Sequence, residues 1–137
     1  MSFSDYLEDK VLDHVFGGTA YTAPSTLYVG LFTSAASDSA AGTEISGNSY
    51  ARQTAAFTVS GTSPTTAASS ANIEFPEATG SWGTVTHAGV FDALTGGNML
   101  AYAELTDPSD FTTALSKVIS TGDILRINAG NLKVTLD

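Results

Sequence analysis

The apolar positions near the start of the chain follow a helical period. They are spaced three and four residues apart, as on one face of a helix, and are Phe3, Tyr6, Leu7, Val11, Leu12 and Val15. Ser2 or Ser4 can cap the first turn, and Gly17 and Gly18 provide an end signal. We predict an amphipathic helix within residues 1–18, whose apolar stripe packs either on the domain's own sheet or on a neighbouring subunit.

The rest of the chain follows a period of two, which is typical of strands. The predicted strand segments are residues 27–32, 50–60, 73–75, 84–91, 99–105, 124–128 and 132–136. Both faces of 27–32 are apolar, which predicts a central strand. Turn residues at 95–98 and 129–131 predict two β-hairpins. The pattern indicates a mainly β fold, an antiparallel sandwich or barrel of about seven to eight strands with one N-terminal helix.

The length of 137 residues fits a single domain. We predict one unit over 1–137, with the helix in 1–18 and a β domain in 19–137. Small and polar residues without sustained periodicity predict flexible loops near 34–48 and 61–70.

Charge and residue composition limit which kinds of molecule the chain is expected to bind. Charged residues make up only 14% of the chain, against about 25% in typical soluble domains. Fourteen acidic and five basic residues give a formal charge of −9, which disfavours binding to nucleic acid or to anionic membranes. We expect neither an export signal nor a membrane span. The chain has no cysteine, so thiol chemistry and disulfides are excluded.

Residues for catalysis are scarce. The two histidines, His14 and His87, have no partner at metal-ligand spacing, and no Gly-x-Ser-x-Gly or Gly-Lys-Ser/Thr motif occurs. The acids of Asp107 to Asp110 are better explained by turn capping than by calcium binding. Trp82 is either a core residue or an exposed contact for sugar or protein. We expect no enzymatic activity, no cofactor and no metal.

Four segments carry a resemblance to a known family. They are residues 6–14 (YLEDKVLDH), 27–33 (LYVGLFT), 49–53 (SYARQ) and 82–92 (WGTVTHAGVFD). Together they resemble small virion proteins of tailed bacteriophages, many labelled tail fibre proteins and some similar to capsid cement or decoration proteins. The resemblance covers most of the chain, is weakest in the two loops, and brings no catalytic motif. It implies a structural role in the virion, which is assembled in the host cytoplasm.

Two virion roles fit this resemblance. Fibres are usually elongated trimers with repeated shafts, and the chain has no repeat or heptad. We therefore expect a cement protein that binds the major capsid protein or other virion proteins as a homo-oligomer, with a trimer favoured. A tail fibre or tail-attachment component is the alternative, and a host-glycan-binding module is a third possibility. The candidate contact residues are Phe3, Tyr6, Leu7, Val11, Glu44, Ile45, Tyr50, Arg52 and Trp82.

Overall fold

The computed structural model describes residues 1–136, and Asp137, the end of the predicted β domain, lies outside this range. Within that range the chain forms one α-helix, α1 (Asp5–Leu12), which continues as a π-helical turn (Asp13–Gly17), and twelve short strands. The strands are β1 (Ser2–Phe3), β2 (Leu27–Phe32), β3 (Gln53–Ala55), β4 (Phe57–Ser60), β5 (Thr65–Ser69), β6 (Ile73–Glu74), β7 (Gly83–Val85), β8 (His87–Phe91), β9 (Met99–Glu104), β10 (Lys117–Ile119), β11 (Arg126–Ile127) and β12 (Lys133–Leu136). The prediction of a mainly β fold with one N-terminal helix is confirmed.

The largest sheet has five antiparallel strands in the order β1-β9-β8-β2-β3. A three-stranded sheet, β12-β5-β4, and two strand pairs, β10-β7 and β11-β6, complete the β structure. In the described residues no sheet closes on itself, so the arrangement is a sandwich and not a barrel. The strand count exceeds the predicted seven to eight because several strands are only two or three residues long.

The central position of β2 and the first hairpin are confirmed. β2 lies between β8 and β3, and β8 pairs with β9 with a bulge between Val90 and Phe91. The turn that joins β8 to β9 contains Gly96 and Gly97 at φ of 61° and 69°, a conformation that favours glycine. The Asp92 carboxylate also accepts a hydrogen bond from the Asn98 N–H at 2.7 Å.

The central strands β2 and β8 of the five-stranded sheet are buried on both faces. On one face the apolar side chains of β2 and β8 pack with those of the smaller sheets and loops, and this core includes Val29, Leu31, Ala88, Val90, Ile73, Ile119, Leu125 and Leu132. On the other face lie Phe32, Phe91 and Met99, packed with Tyr28, Ala36 and Tyr102, and we call this cluster the second core. The removal of both faces from water explains why odd and even positions of β2 are equally apolar.

A glycine pair makes room for the second core. Gly30 and Gly89 lie opposite each other on β2 and β8. A Cβ at Gly89 would come within 2.8 Å of Phe32, and one at Gly30 within 2.8 Å of Glu44 Oε1. The missing side chains therefore let large neighbours close over the sheet.

The structure adds strand-like contacts at two segments where the sequence pattern does not predict them. Ser2 and Phe3 form β1 on the edge of β9, so the helix starts only at Asp5. Residues 34–48 return along β2: the Thr33 N–H donates to Thr43 O at 2.9 Å and the Ile45 N–H to Leu31 O at 3.1 Å. These bonds place the segment over Phe32, Phe91 and Met99, where Ala36 packs against them.

The second predicted hairpin is wrong, as is the connection predicted over 61–70. Thr65–Ser69 form β5, which pairs with both β4 and β12, while β11 pairs with β6. Gly130 N–H donates to Ser69 O at 2.7 Å, and Leu132 N–H donates to Ser69 Oγ at 3.3 Å. The turn at 129–131 is therefore fastened to β5, and β12 pairs there instead of with β11.

We expect the Gly30→Ala variant to lower the free energy of unfolding by about 1–3 kcal/mol, the usual effect of overpacking a filled core. The added Cβ would crowd Glu44 Oε1, the Phe91 ring at 3.1 Å and the Tyr50 hydroxyl at 3.3 Å. Urea unfolding measures the change, with Thr54→Ala at an exposed position of the neighbouring β3 as the control. Equal stability of the two variants would contradict the crowding.

Candidate assembly surface

The start of α1 is fixed to the sheet by one residue. Ser4 is the N-cap: its Oγ accepts a hydrogen bond from the Leu7 N–H at 3.3 Å and donates to Met99 O. Ser4 N–H also donates to Leu100 O at 2.9 Å. The buried Ser4 side chain thus provides a hydrogen-bond acceptor for a free N–H group of the first helical turn and bonds the start of the helix to β9.

The other end of the helix is held by its own continuing chain. Gly18 ends the π-helical turn in the left-handed conformation, at φ of 73°. Thr19 N–H donates to Asp13 O, and Tyr21 N–H donates to His14 Nδ1, both at 3.0 Å. His14 therefore has a structural role here, and the chain reversal fixes the direction of the preceding turn.

The last part of this segment carries an uncovered apolar surface. Val11 is 37% exposed, Leu12 59%, Val15 62% and Phe16 82%. No residue of α1 is buried. We call these four residues the helix-end patch. Clusters of exposed apolar side chains of this kind mark surfaces that are covered by another molecule.

The predicted contact residues fall into two groups. Phe3, Tyr6 and Leu7 are half-buried beside the sheet, and Val11 belongs to the helix-end patch. The other five lie together inside the subunit, as described below. Phe16, the most exposed member of the patch, continues the helical spacing four residues after Leu12 but was not among the predicted contact residues. Its position directly before Gly17 and Gly18, where the helix ends, is the signal that could have found it.

Glu44 and Arg52 form an ion pair that lies against Phe91 of the second core. Arg52 Nε lies 2.8 Å from Glu44 Oε1, and its Nη2 lies 2.8 Å from Oε2. Nη1 donates to Ala93 O and Gly96 O, each at 2.8 Å. The guanidinium also lies 3.5 Å above the Phe91 ring. Arg52 thus joins the 34–48 segment to the turn between β8 and β9, using its planar donors as a clamp.

Tyr50 connects the Glu44–Arg52 pair to β2. Its hydroxyl donates to Glu44 Oε1 at 2.8 Å and accepts from the Leu31 N–H at 2.9 Å. Burial, together with the neighbouring Glu44 carboxylate, raises the pKa of Tyr50 well above its ordinary value. The neutral hydroxyl is therefore part of the folded structure.

Trp82 and Ile45 complete this buried group. Trp82 is 5% exposed, its Nε1 donates to Asn48 O at 3.0 Å, and its ring meets Tyr50 edge-on at 5.4 Å. Ile45 is 7% exposed. A buried indole cannot stack on a sugar, so the predicted glycan platform at Trp82 is absent. Of the predicted contact residues in this group, Ile45, Arg52 and Trp82 are buried within the subunit, and Glu44 and Tyr50 are half-buried beside them.

A cleft of about 510 Å³ opens between the end of β9, the 106–116 loop and the two C-terminal strands. Apolar lining residues are Leu105, Phe111, Leu115, Leu125, Ile127 and Leu132, and the cationic ones are Lys117, Arg126 and Lys133. Lys133 Nζ lies 4.1 Å from the centre of the Phe111 ring. Arg126 lies 3.7 Å from the exposed Glu74. We call this feature the basic cleft.

Other polar groups serve local structure. Asp107 Oδ1 accepts from Ser109 N–H at 2.8 Å, and Asp110 Oδ1 accepts from the N–H groups of Thr112 and Thr113, so turn capping is confirmed. Over residues 1–136, no cluster of three or more potential metal ligands is found. Within the same described range, no helix is both long and apolar enough to cross a lipid bilayer.

Removal of Arg52 should leave Glu44 without its partner. We expect Arg52→Met to lower the free energy of unfolding by about 3 kcal/mol, the loss typical of breaking a buried pair on one side only. Arg126→Met is the matched control, since its pair with Glu74 is more than half exposed and should contribute about 1 kcal/mol or less. Urea unfolding compares the two. Similar losses would contradict the role of the buried clamp.

Stability should also depend on alkaline pH through Tyr50. Because folding raises its pKa, the neutral hydroxyl stabilises the protein fully below the ordinary tyrosine pKa of about 10. This contribution is lost as the pH rises above that value, when the unfolded chain ionises first. We expect the urea midpoint to fall less steeply in this range for Tyr50→Phe than for the wild type. Parallel pH dependences would contradict the assignment.

Residues 2–135 match the family model described as Podophage GP4 fiber I protein gp80. No curated protein matches the chain significantly. The family match agrees with the resemblance to virion proteins that the sequence segments carry, and it extends over both loops in which that resemblance is weakest. Because the match covers nearly the whole chain, the chain belongs to the Podophage GP4 fiber I protein gp80 family and is a structural protein of a phage virion.

Proposed function

We propose that this chain is a non-enzymatic fibre component of the virion, which joins other virion proteins through the helix-end patch. The observation that carries the proposal is the exposure of Phe16, 82%, at the end of a segment fixed by hydrogen bonds at both ends. The description of the matched family supports the fibre location.

The energetics of the patch favour protein association. Burial of an exposed Phe, Leu or Val side chain contributes about 1.5–3 kcal/mol. Aromatic residues at the centre of an apolar patch commonly dominate the binding energy of an interface. Because the helix end is already ordered, little conformational entropy is lost when a partner covers it.

Several features support a role without catalysis. His14 is used in the chain reversal, and His87 Nδ1 lies 2.8 Å from Thr86 Oγ1 in the adjacent position. The buried polar cluster around Arg52 is satisfied by protein groups and holds the fold together. A structural subunit needs only a stable fold and surfaces that bind its neighbours, and the two cores and the helix-end patch support such a role.

A capsid cement protein is the second candidate. The chain is a small sandwich without the repeats or heptads of an elongated shaft, which suits a subunit that clamps the major capsid protein. Such a subunit stabilises the shell simply by binding the assembled state, and threefold positions on the shell would favour a trimer. The same patch would then face the shell.

Antibody labelling in electron micrographs of intact virions separates the two locations. For a fibre component we expect gold particles on tail or fibre projections only. Label spread evenly over the head, with greater heat sensitivity of particles lacking the protein, would assign the cement role and contradict the fibre proposal.

The patch itself can be tested with Phe16→Ser. We expect this variant to fold with unchanged stability, because the side chain is largely exposed, and to be incorporated into virions at least ~10-fold less than the wild type, which corresponds to about 1.4 kcal/mol of binding. Val59→Ser is the control, since Val59 is 66% exposed on β4, away from the patch. Normal incorporation of Phe16→Ser, measured by immunoblot of purified particles, would contradict the proposal.

A further inference from the structure

We infer that the helix-end patch of one copy docks into the basic cleft of a second copy, so that this protein assembles head to tail. The inference rests on the proposed structural function, and it identifies a second copy of this chain as one binding partner. Both surfaces are present in every subunit, and they complement each other in polarity and in charge.

The cleft concentrates positive charge in an acidic protein. The chain has five Lys and Arg residues and a formal charge of −9. Arg52 is used inside the subunit and Lys10 lies on α1, and the other three, Lys117, Arg126 and Lys133, all line the cleft. Glu104 is the one carboxylate of this lining among the described residues. Because Arg126 is paired with the exposed Glu74 at 3.7 Å, Lys117 and Lys133 provide the unpaired part of this charge, and the cleft suits an acidic, apolar partner segment.

The helical segment has that composition. Between residues 5 and 13 it carries four carboxylates, those of Asp5, Glu8, Asp9 and Asp13, and one lysine. The same segment ends in the helix-end patch, whose Leu12 and Phe16 need apolar cover. The cleft is lined largely by apolar side chains. Its volume lies within the range of about 300–1,000 Å³ that is typical of ligand-binding pockets. Apolar side chains would occupy the cleft while the carboxylates meet its cationic rim.

The two surfaces are separate within one subunit. Met1 lines the cleft, and from there β1 runs antiparallel to β9, with Ser2 opposite Tyr102 and Phe3 opposite Ala101. Ser4 then reaches Leu100, where α1 begins. Among the described residues, none from α1 or the π-helical turn lines the cleft. The chain's own helix thus leaves the cleft open for another molecule.

A contact between two identical patches is less favourable. Symmetric pairing of two helix ends would bring the carboxylates of both copies together, and like charges across an interface oppose binding. Docking of patch into cleft pairs opposite charges instead. Since the two surfaces differ, each subunit can bind a neighbour on both sides, and the contact generates a closed ring or an extended filament.

Two variants test this arrangement. The helix variant carries Leu12→Ser and Phe16→Ser, and the cleft variant carries Lys117→Glu and Arg126→Glu. All four side chains are exposed in the subunit, so circular dichroism should show unchanged folding. We expect sedimentation velocity to show concentration-dependent oligomers of the wild type, and an association constant at least ~30-fold lower for each variant, the factor expected for a binding hot spot.

A mixture of the two variants is decisive. The cleft variant retains a normal patch and the helix variant retains a normal cleft, so an equimolar mixture should form dimers that grow no further. A mixture that stays monomeric would overturn the inference, as would a helix variant or a cleft variant that assembles like the wild type. Val59→Glu, which adds a negative charge on β4 outside both surfaces, should assemble normally.

Charge reversal on both sides provides a rescue. Glu8→Lys with Asp13→Lys should weaken assembly in the wild-type background and should restore it with the cleft variant by ~10-fold or more. Absence of rescue would remove the electrostatic part of the inference. If the purified wild type is monomeric at every concentration, the inference fails, whereas the proposed function is judged separately by whether Phe16→Ser lowers incorporation into virions.

Discussion

The ion pair of Glu44 with Arg52 is the interaction on which the rest of the structure depends. Glu44 lies over the space left by Gly30, and Arg52 reaches from it to the carbonyls of Ala93 and Gly96. One pair of charges therefore fastens the 34–48 segment, β2 and the turn between β8 and β9 to each other. Buried charges are tolerated only where they are paired and hydrogen-bonded, and here both oxygens of Glu44 and all three guanidinium nitrogens have partners.

This interior explains why the exterior can be adapted to assembly. The two cores and the Glu44–Arg52 pair form the interior of the sandwich, and α1 contributes no fully buried residue to it. The helix is attached to β9 at Ser4, and bonds from Thr19 and Tyr21 close its last turn, which presents the apolar side chains of the helix-end patch. The arrangement suits a subunit of a larger particle.

Prediction from sequence succeeded where the signal was local. The helix, the apolar β2 and the hairpin of β8 and β9 have strong periodicity and turn residues that act over a few positions. It failed at β5, where Thr65–Ser69 has no large apolar residue, and at the second hairpin, where Ser69 holds the turn before β12. Arg52 and Trp82, which were predicted as contact residues, are buried in the subunit, because the residue types common at interfaces also form buried ion pairs and edge-on aromatic contacts.

The sequence by itself determined the β-rich class, the position of the helix, the absence of thiol chemistry and the resemblance to virion proteins. These follow from periodicity, composition and short segments, each readable along the chain. The tertiary structure decided which apolar residues remain uncovered and where the few cations gather. Lys117, Arg126 and Lys133 are spread over seventeen positions and come to one cleft only because β10, β11 and β12 pair with three different partners. Burial and proximity are properties of non-local packing, and no local pattern encodes them.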